Sequence, residues 1–435
     1  MRLHRGLVAG VVMTLAAVTA GCSQTPDRLD AAPPAAKQPV VPPRVAHDPP
    51  TTFRPTGVLM PWEAYSGLLN VAGTWMYESE LPVVLHGETA FVATPDRLLV
   101  FDTTNQVTRE TIRPEGGEPV SPLTRDNHNT AAPPVITEGA SPLVLAPFLV
   151  RQAGTGTQTA RSSTQFVAAD AKTGKVAWRL SLPLPEWTKG VSDPLTAAVV
   201  GASGNVAVVT VSHKGPALVK NASTTYAIDL ASHRVLWSQE TFRAATVADG
   251  VVVGEKRKTD LDDYSTPAGY DLTTGAQRWQ GQEYYNLELR PAGPGLLHLY
   301  ARDRADYRHV YQQFLDPRTG EVRQTDAPTA SKCRHDGASA VVCWGRDKVV
   351  GVDATTGAVL WQLPDEKAGR IAPRVTTVWH GRVYAKTADG TVALDSRTGA
   401  DLPTPPGIAP DLVNAFTGIA ISKSGDDVTA YQSAS

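Results

Sequence analysis

Asp170-Ala-Lys-Thr-Gly174-Lys-Val-Ala-Trp178, Asp271-Leu-Thr-Thr-Gly275-Ala-Gln-Arg-Trp279 and Asp353-Ala-Thr-Thr-Gly357-Ala-Val-Leu-Trp361 are three copies of one pattern. An Asp opens a turn, a Thr-Gly step follows, and a Trp stands eight residues after the Asp. Each position has a local cause. The Asp side chain accepts backbone N–H groups and closes a tight turn, and the Gly supplies the positive φ that the turn demands. The Trp falls on the strand that follows and offers a large face for packing between neighbouring sheets. Weaker copies keep the same ruler. Asp229 and Trp237 hold the spacing with His233 where Gly is expected, whereas Asp316 with Gly320 and Asp395 with Gly399 keep the turn and lose the Trp. Asp102 keeps neither.

Ahead of each such turn lie two apolar runs joined by a glycine, at Gly87, Gly139, Gly204, Gly250, Gly295, Gly337, Gly381 and Gly418. Short apolar runs with turn residues at regular spacing are the mark of a repeated all-β unit. Eight units follow, each with room for four antiparallel strands except the last, which has room for about three. Residues 54–62 precede the first unit and have a strand-like apolar centre. The pattern therefore predicts an eight-bladed β-propeller with four-stranded antiparallel blades, its ring closed by that N-terminal strand in the last blade. Seven blades is the alternative, with the last unit a tail.

The Asp-x-x-Thr-Gly-x-x-x-Trp units resemble the repeat of quinoprotein-type (PQQ-like) propellers, over roughly residues 55–432. That family includes pyrroloquinoline-quinone dehydrogenases and non-enzymatic envelope lipoproteins such as the propeller subunit of the outer-membrane protein assembly machinery. The resemblance implies the fold and leaves function open, since sites are grafted on folds. It further implies, for a quinone enzyme, a vicinal cysteine pair over the cofactor, a calcium site and a catalytic Asp in a much longer chain. None of these can be matched to a residue here, so no cofactor is expected and no catalytic residue is assigned.

The chain starts with Arg2 and Arg5 and an apolar run over 7–18, too short to span a bilayer comfortably. It reads as a signal peptide over 1–21. The run ends in Val18-Thr19-Ala20-Gly21-Cys22, which resembles a bacterial lipobox and makes Cys22 the candidate lipidated residue. An ordinary signal peptide with a chance cysteine is the alternative. Residues 22–52 are rich in Pro and Ala and poor in large apolar side chains, so they form a tether that cannot bury enough surface to fold. In extended form such a tether reaches on the order of 90 Å at roughly 3.1 Å per residue. Residues 53–435 form the propeller domain. The expected place is extracytoplasmic, anchored to the cell membrane through Cys22.

Besides Cys22, Cys333 and Cys343 are the remaining cysteines. They flank the turn residues His335-Asp336-Gly337-Ala338, which predicts a disulfide across a hairpin in an oxidising compartment. The net charge of −2 gives no reason to expect nucleic acid as a partner. No Gly-x-Ser-x-Gly, His-Glu-x-x-His, phosphate-binding Gly-Lys loop or Cys-x-x-Cys is present. A quinone-dependent oxidoreductase or a polysaccharide-active propeller enzyme remains the alternative reading, because separate blades can bring carboxylates together without a sequence motif.

The loop between strands two and three and the link to the next blade emerge on one face. Insertions there fall at 154–163, 213–223, 256–267 and 302–309, in units two to five. They hold Lys256, Arg257, Lys258, Asp260, Asp262, Asp263 and Tyr264 in one loop, and Arg302, Asp303, Arg304, Asp306, Tyr307 and Arg308 in the next. The links add Trp187, Tyr284 and Tyr285. Aromatic residues beside arginines suit a protein or glycan contact, so this face is the candidate binding surface of an envelope scaffold. Calcium at the Asp-rich runs 260–263 or 303–306 is a further option, although neither run has dedicated ligand spacing and no metal ligand is assigned.

Overall fold

The structure, a computed structural model, describes residues 45–65, 80–121, 129, 131–189, 195–213, 222–259, 264–306, 308–325, 332–422 and 427–435. Cys22, Tyr307 and the run 260–263 lie outside the described residues. The compact unit runs from Arg44 to Ser435. Among the described residues its regular structure is all-β apart from two short 3-10 turns, Trp62–Ala64 and Glu186–Thr188. No helix of the described residues is long and apolar enough to cross a membrane.

The strands form antiparallel sheets of a repeating type. The first unit is Val83–His86, Thr89–Ala93, Leu98–Asp102 and Val107–Ile112, hydrogen-bonded in that order. The third unit (Thr196–Ser203, Val206–Ser212, Ser223–Asp229, Arg234–Glu240) and the sixth (Lys332–His335, Ala340–Trp344, Val349–Asp353, Val359–Leu363) repeat it. The second unit has Leu143–Gln152, Arg161–Asp170 and Val176–Pro183, with two short strands, Glu118–Pro119 and Val135–Ile136, sharing its inner edge. The fourth (Phe242–Ala248, Val251–Lys256, Tyr264–Asp271, Gln277–Gln280) and fifth (Tyr284–Pro291, Leu297–Arg302, Val310–Leu315, Val322–Gln324) are joined into one sheet.

The second and third strands are apolar along most of their length because neighbouring sheets cover both faces. Thr89–Ala93 and Leu98–Asp102 are buried at every position, whereas the outer strand Val107–Ile112 is exposed except at its end. Successive units share apolar clusters: Phe91 and Leu98 pack on Val144 and Phe148, Phe166 on Val199 and Val209, and Phe242 and Tyr270 on Val208. One cluster joins Ile419, Val428 and Ala430 of the last unit to Val83, Val92 and Phe101 of the first.

Two features differ from the repeat read in the sequence. The seventh unit has three strands, Arg374–Trp379, Arg382–Thr387 and Gly390–Asp395, and its fourth is reduced to a bridge between Leu394 and Asp401. Pro403, Pro405 and Pro406 follow, and proline has no N–H to extend a ladder. In the last unit the hairpin turn is at Asn414, whose Oδ1 accepts the N–H of Phe416 and Thr417 at 2.9 Å each. Gly418 is therefore not the turn residue. It lies in the strand Thr417–Ile421, where Phe53 leaves no room for a Cβ.

The last unit is Leu412–Val413, Thr417–Ile421 and Val428–Gln432, with Val58–Leu59 as its fourth strand. Val58 opposes Ala430 and Leu59 opposes Thr429. The chain before this strand is also held: Tyr384 donates its hydroxyl to the Pro50 carbonyl at 2.6 Å, and Trp379 donates to Asp48 at 2.9 Å.

Candidate functional site

The repeated turns are built alike. Asp170 Oδ1 accepts the N–H and hydroxyl of Thr173, Asp271 those of Thr274, Asp353 those of Thr356 and Asp395 those of Thr398, all at 2.7–3.0 Å. Asp229 accepts the N–H groups of Ala231 and Ser232, and Asp316 is held by Arg318 and Arg323. Hydrogen bonds to the charged form lower a carboxyl pKa. The Thr173 amide does so for Asp170, the Ser232 amide for Asp229 and the Thr356 amide for Asp353. The Arg278 side chain does so most strongly for Asp271. In each repeat turn the Asp thus has at least one oxygen committed to holding the turn.

The repeat Trp residues are committed too. Trp237 donates to the Leu272 carbonyl at 2.9 Å, Trp279 to Pro317 at 3.0 Å and Trp361 to Ser396 at 2.8 Å, in each case reaching the turn of the next unit. Each indole also lies against that turn's glycine, Gly275, Gly320 and Gly399 respectively. Trp178 stacks instead on His233, with ring centroids 4.4 Å apart.

The unassigned chemistry lies on the edge where second strands end and third strands begin. Tyr264 and Ser265, opening the third strand of the fourth unit, pair with Tyr285 and Tyr284 of the fifth, and this ladder fuses the two sheets. Glu283, just before it and only 17% exposed, sits between Lys258 at 3.0 Å and Arg304. The Arg304 guanidinium lies over the Tyr264 ring, 5.0 Å from its centroid, and Tyr264 is 5.7 Å from Tyr285. Tyr284 packs edge-on against Tyr311, whose hydroxyl donates to Asp303 at 2.8 Å and whose ring meets His309. That hydroxyl is the main cause holding the Asp303 carboxyl below its ordinary pKa.

Four candidate residues thus come together, Lys258, Tyr264, Tyr285 and Arg304, whereas Tyr284 turns to the other face and is buried in the core of the fifth unit. Arg257 stands beside Glu255 at 3.9 Å. Trp187 is elsewhere, donating to Thr224 of the third unit at 2.9 Å, and Arg308 is exposed with its amide on Asp306. Glu283, His309 and Tyr311 were not singled out in the sequence. Glu283 alone had a signal, as the residue before the Tyr284-Tyr285 link.

Exposed cations beside aromatic rings and a carboxylate are the chemistry of a recognition surface. Lys258 and Arg304 keep 75% and 61% of their side chains exposed, and exposed ion pairs contribute little, so their heads can turn to a partner at small cost.

A quinone site does not fit these residues. Cys333 and Cys343 are disulfide-bonded, ten residues apart, directly opposite each other on the first two strands of the sixth unit. Cys343 is wholly buried in the apolar cluster between the fifth and sixth units. For calcium, Asp303 spends Oδ1 on the amides of Ala305 and Asp306. Among the described residues no group of three or more His, Cys, Asp or Glu is placed to hold a metal ion.

Comparison with known proteins accords with the repeat. The family model described as outer membrane protein assembly factor BamB matches residues 124–281 and again 163–332. Two overlapping matches are what a repeated unit gives, because it fits in more than one register. The chain is a propeller of PQQ-like repeats that resembles this family. BamB from Moraxella catarrhalis is similar at 16% identity and a TM-score of 0.41, covering 80% of this chain and 95% of its own. A quinohemoprotein alcohol dehydrogenase from Comamonas testosteroni is similar at 12% identity and a TM-score of 0.43, covering 80% and 73%. A europium-containing methanol dehydrogenase is similar at 13% identity and a TM-score of 0.41, covering 80% and 81%. No curated protein matches the chain.

Proposed function

We propose that this chain is a membrane-anchored, extracytoplasmic lipoprotein whose eight-bladed ring acts as a protein-interaction or ligand-binding scaffold in the cell envelope. Cys22 carries the lipid, the Pro- and Ala-rich residues from there to about 44 hold the domain away from the membrane, and an envelope protein or glycan meets the loop face. The eight successive sheet units support the blade count, and the pairing of Val58–Leu59 with Val428–Gln432 supports closure of the ring. The cluster of Lys258, Tyr264, Glu283, Tyr285 and Arg304 carries the functional reading, because it places exposed cations beside aromatic rings. Such anchors dominate protein interfaces. A similarity to a family described as an assembly factor points the same way.

The test is crosslinking of the full chain in its native envelope, compared with Tyr264→Ala and Arg304→Ala. A defined partner band that both variants lose supports the reading. A band that survives both substitutions, or membrane release that does not depend on Cys22, contradicts it.

A further inference from the structure

Where the fourth and fifth units fuse, the candidate cluster continues into a stripe across four strands. Tyr264 is opposite Tyr285, Tyr285 is opposite Arg302, and Arg302 is opposite Val310. Directly opposed residues on neighbouring strands project to one face. The adjoining Ser265, Tyr284 and Ala301 are buried on the other face, whereas Arg302 is exposed and Val310 keeps 39% of its surface in solvent. Lys258 and Arg304 meet at Glu283 beside the Tyr264 end of the stripe. After Tyr285 the ladder bulges, and the exposed Asn286 takes a φ of 48°. Asn tolerates the left-handed region, and a bulge re-aims the side chain it carries.

Burial sorts the charges around this stripe. Among the described residues of the two loops, Lys258, Arg302, Arg304 and Arg308 are exposed, and Asp306 is the exposed carboxylate. The other acids are recessed. Glu283 is 17% exposed beneath Lys258 and Arg304, and Asp303 is spent on the Tyr311 hydroxyl and on the amides of Ala305 and Asp306. The surface offered to a partner is therefore cationic.

We propose that this stripe binds an acidic segment of a protein partner in extended form, its carboxylates meeting Lys258, Arg302 and Arg304 and its backbone meeting the Asn286 amide. The inference rests on the scaffold reading and names the chemistry of what that face holds. Ammonium and guanidinium donors make charge-assisted hydrogen bonds to carboxylates, the stronger kind. Three steps between strands, at about 4.8 Å each, give the stripe a length of roughly 14 Å, the reach of about four extended residues. An acidic glycan fits less well. A sugar stacks on a flat open ring, whereas Tyr264 has the Arg304 guanidinium 5.0 Å above its centroid and Tyr285 beside it tilted by 56°.

The experiment titrates the full chain against three labelled probes followed by fluorescence anisotropy: a Glu-Ser repeat peptide, its Gln-Ser counterpart and an oligogalacturonate of similar length. The expected result is saturable binding of the Glu-Ser peptide, weakened by salt and absent for the Gln-Ser peptide. Lys258→Gln/Arg304→Gln should weaken it about tenfold, as for the loss of two exposed ion pairs. Glu283→Gln should tighten it, a gain that a merely structural role for this carboxylate would not give. Asp260→Asn/Asp262→Asn/Asp263→Asn, which removes the acidic run after Lys258, should bind at least as tightly as the natural chain. Equal binding of the two peptides, no saturable binding of either, an unchanged response in Lys258→Gln/Arg304→Gln, or tighter binding of the oligogalacturonate would overturn the proposal. Crosslinking in the native envelope separates it from the scaffold reading. A partner band lost in Tyr264→Ala and Arg304→Ala, with no binding of the Glu-Ser peptide, overturns the acidic segment and leaves the scaffold, whereas peptide binding with the band unchanged does the reverse.

Discussion

Gly275 has φ +69°, and a Cβ built there would come within 2.6 Å of Trp237 of the preceding unit. One residue therefore serves both the turn and the joint between sheets. Gly275→Ala is expected to destabilise the chain by about 1–3 kcal/mol, typical for a non-glycine side chain forced into the left-handed region, with the clash against the indole added. Urea unfolding followed by tryptophan fluorescence measures it. The Asp, Gly and Trp were legible in the sequence because each acts through its own few neighbours. His233 was legible only as a flaw. It has φ +55° in the glycine's place, and its ring stacks on Trp178, a gain that depends on a residue of the previous unit. The lowered carboxyl pKa values of Asp170, Asp229, Asp271 and Asp353 also make a prediction. A depressed folded-state pKa gives stability that is present above the unfolded value, 3.8, and is lost as pH falls through the folded one. The urea midpoint should therefore hold from pH 7 to 5 and drop below about pH 4. A midpoint flat down to pH 3 would contradict that role for the turns.

At the scale of elements, the disulfide sits on a hairpin that the sequence located through its Asp-Gly turn. Cys333 and Cys343 oppose each other in register with Cα atoms 4.0 Å apart. Closing a loop of ten residues restricts the unfolded chain by roughly 2–3 kcal/mol in the loop-entropy account. Reduction with dithiothreitol should lower the melting temperature accordingly while the far-ultraviolet dichroism at 25 °C stays that of a β protein. Strands were harder to read where they depart from the repeat. The seventh unit lost its fourth strand to the prolines at 403, 405 and 406, and the last hairpin turned on Asn414, whose side chain does what the sequence reading gave to Gly418. The candidate site shows the same limit. The sequence marked Tyr264 and Arg304 in loops and Tyr285 in a link, but their meeting around Glu283 is fixed by ladder pairing between two units, a non-local fact.

Over the whole molecule, stability depends on each sheet having a neighbour on both faces. The apolar clusters run from unit to unit, and the one joining Ile419, Val428 and Ala430 to Val83, Val92 and Phe101 connects the two ends of the chain. Those ends are also tied by the ladder of Val58–Leu59 against Val428–Gln432, so an open array and a closed ring differ at this one place. Deleting residues 54–62 is expected to expose the edge of the last sheet and the apolar faces beside it, giving a lower melting temperature and aggregation seen by light scattering. The most direct measurement is a disulfide trap. Leu59 is 47% exposed and faces Thr429, so cysteines at both positions replace no core side chain. The Met60 amide bonds the Val428 carbonyl, which makes the 59–429 pair the non-hydrogen-bonded kind, with Cα atoms about 4.5 Å apart and fit for a disulfide. With Cys22 replaced by Ser, Leu59→Cys/Thr429→Cys should oxidise in air, lose two hydrogens by intact mass, gain mobility on a non-reducing gel and melt at a higher temperature. Two thiols that stay free in the folded chain, at those adjoining positions, would contradict a ring closed by its N-terminal strand.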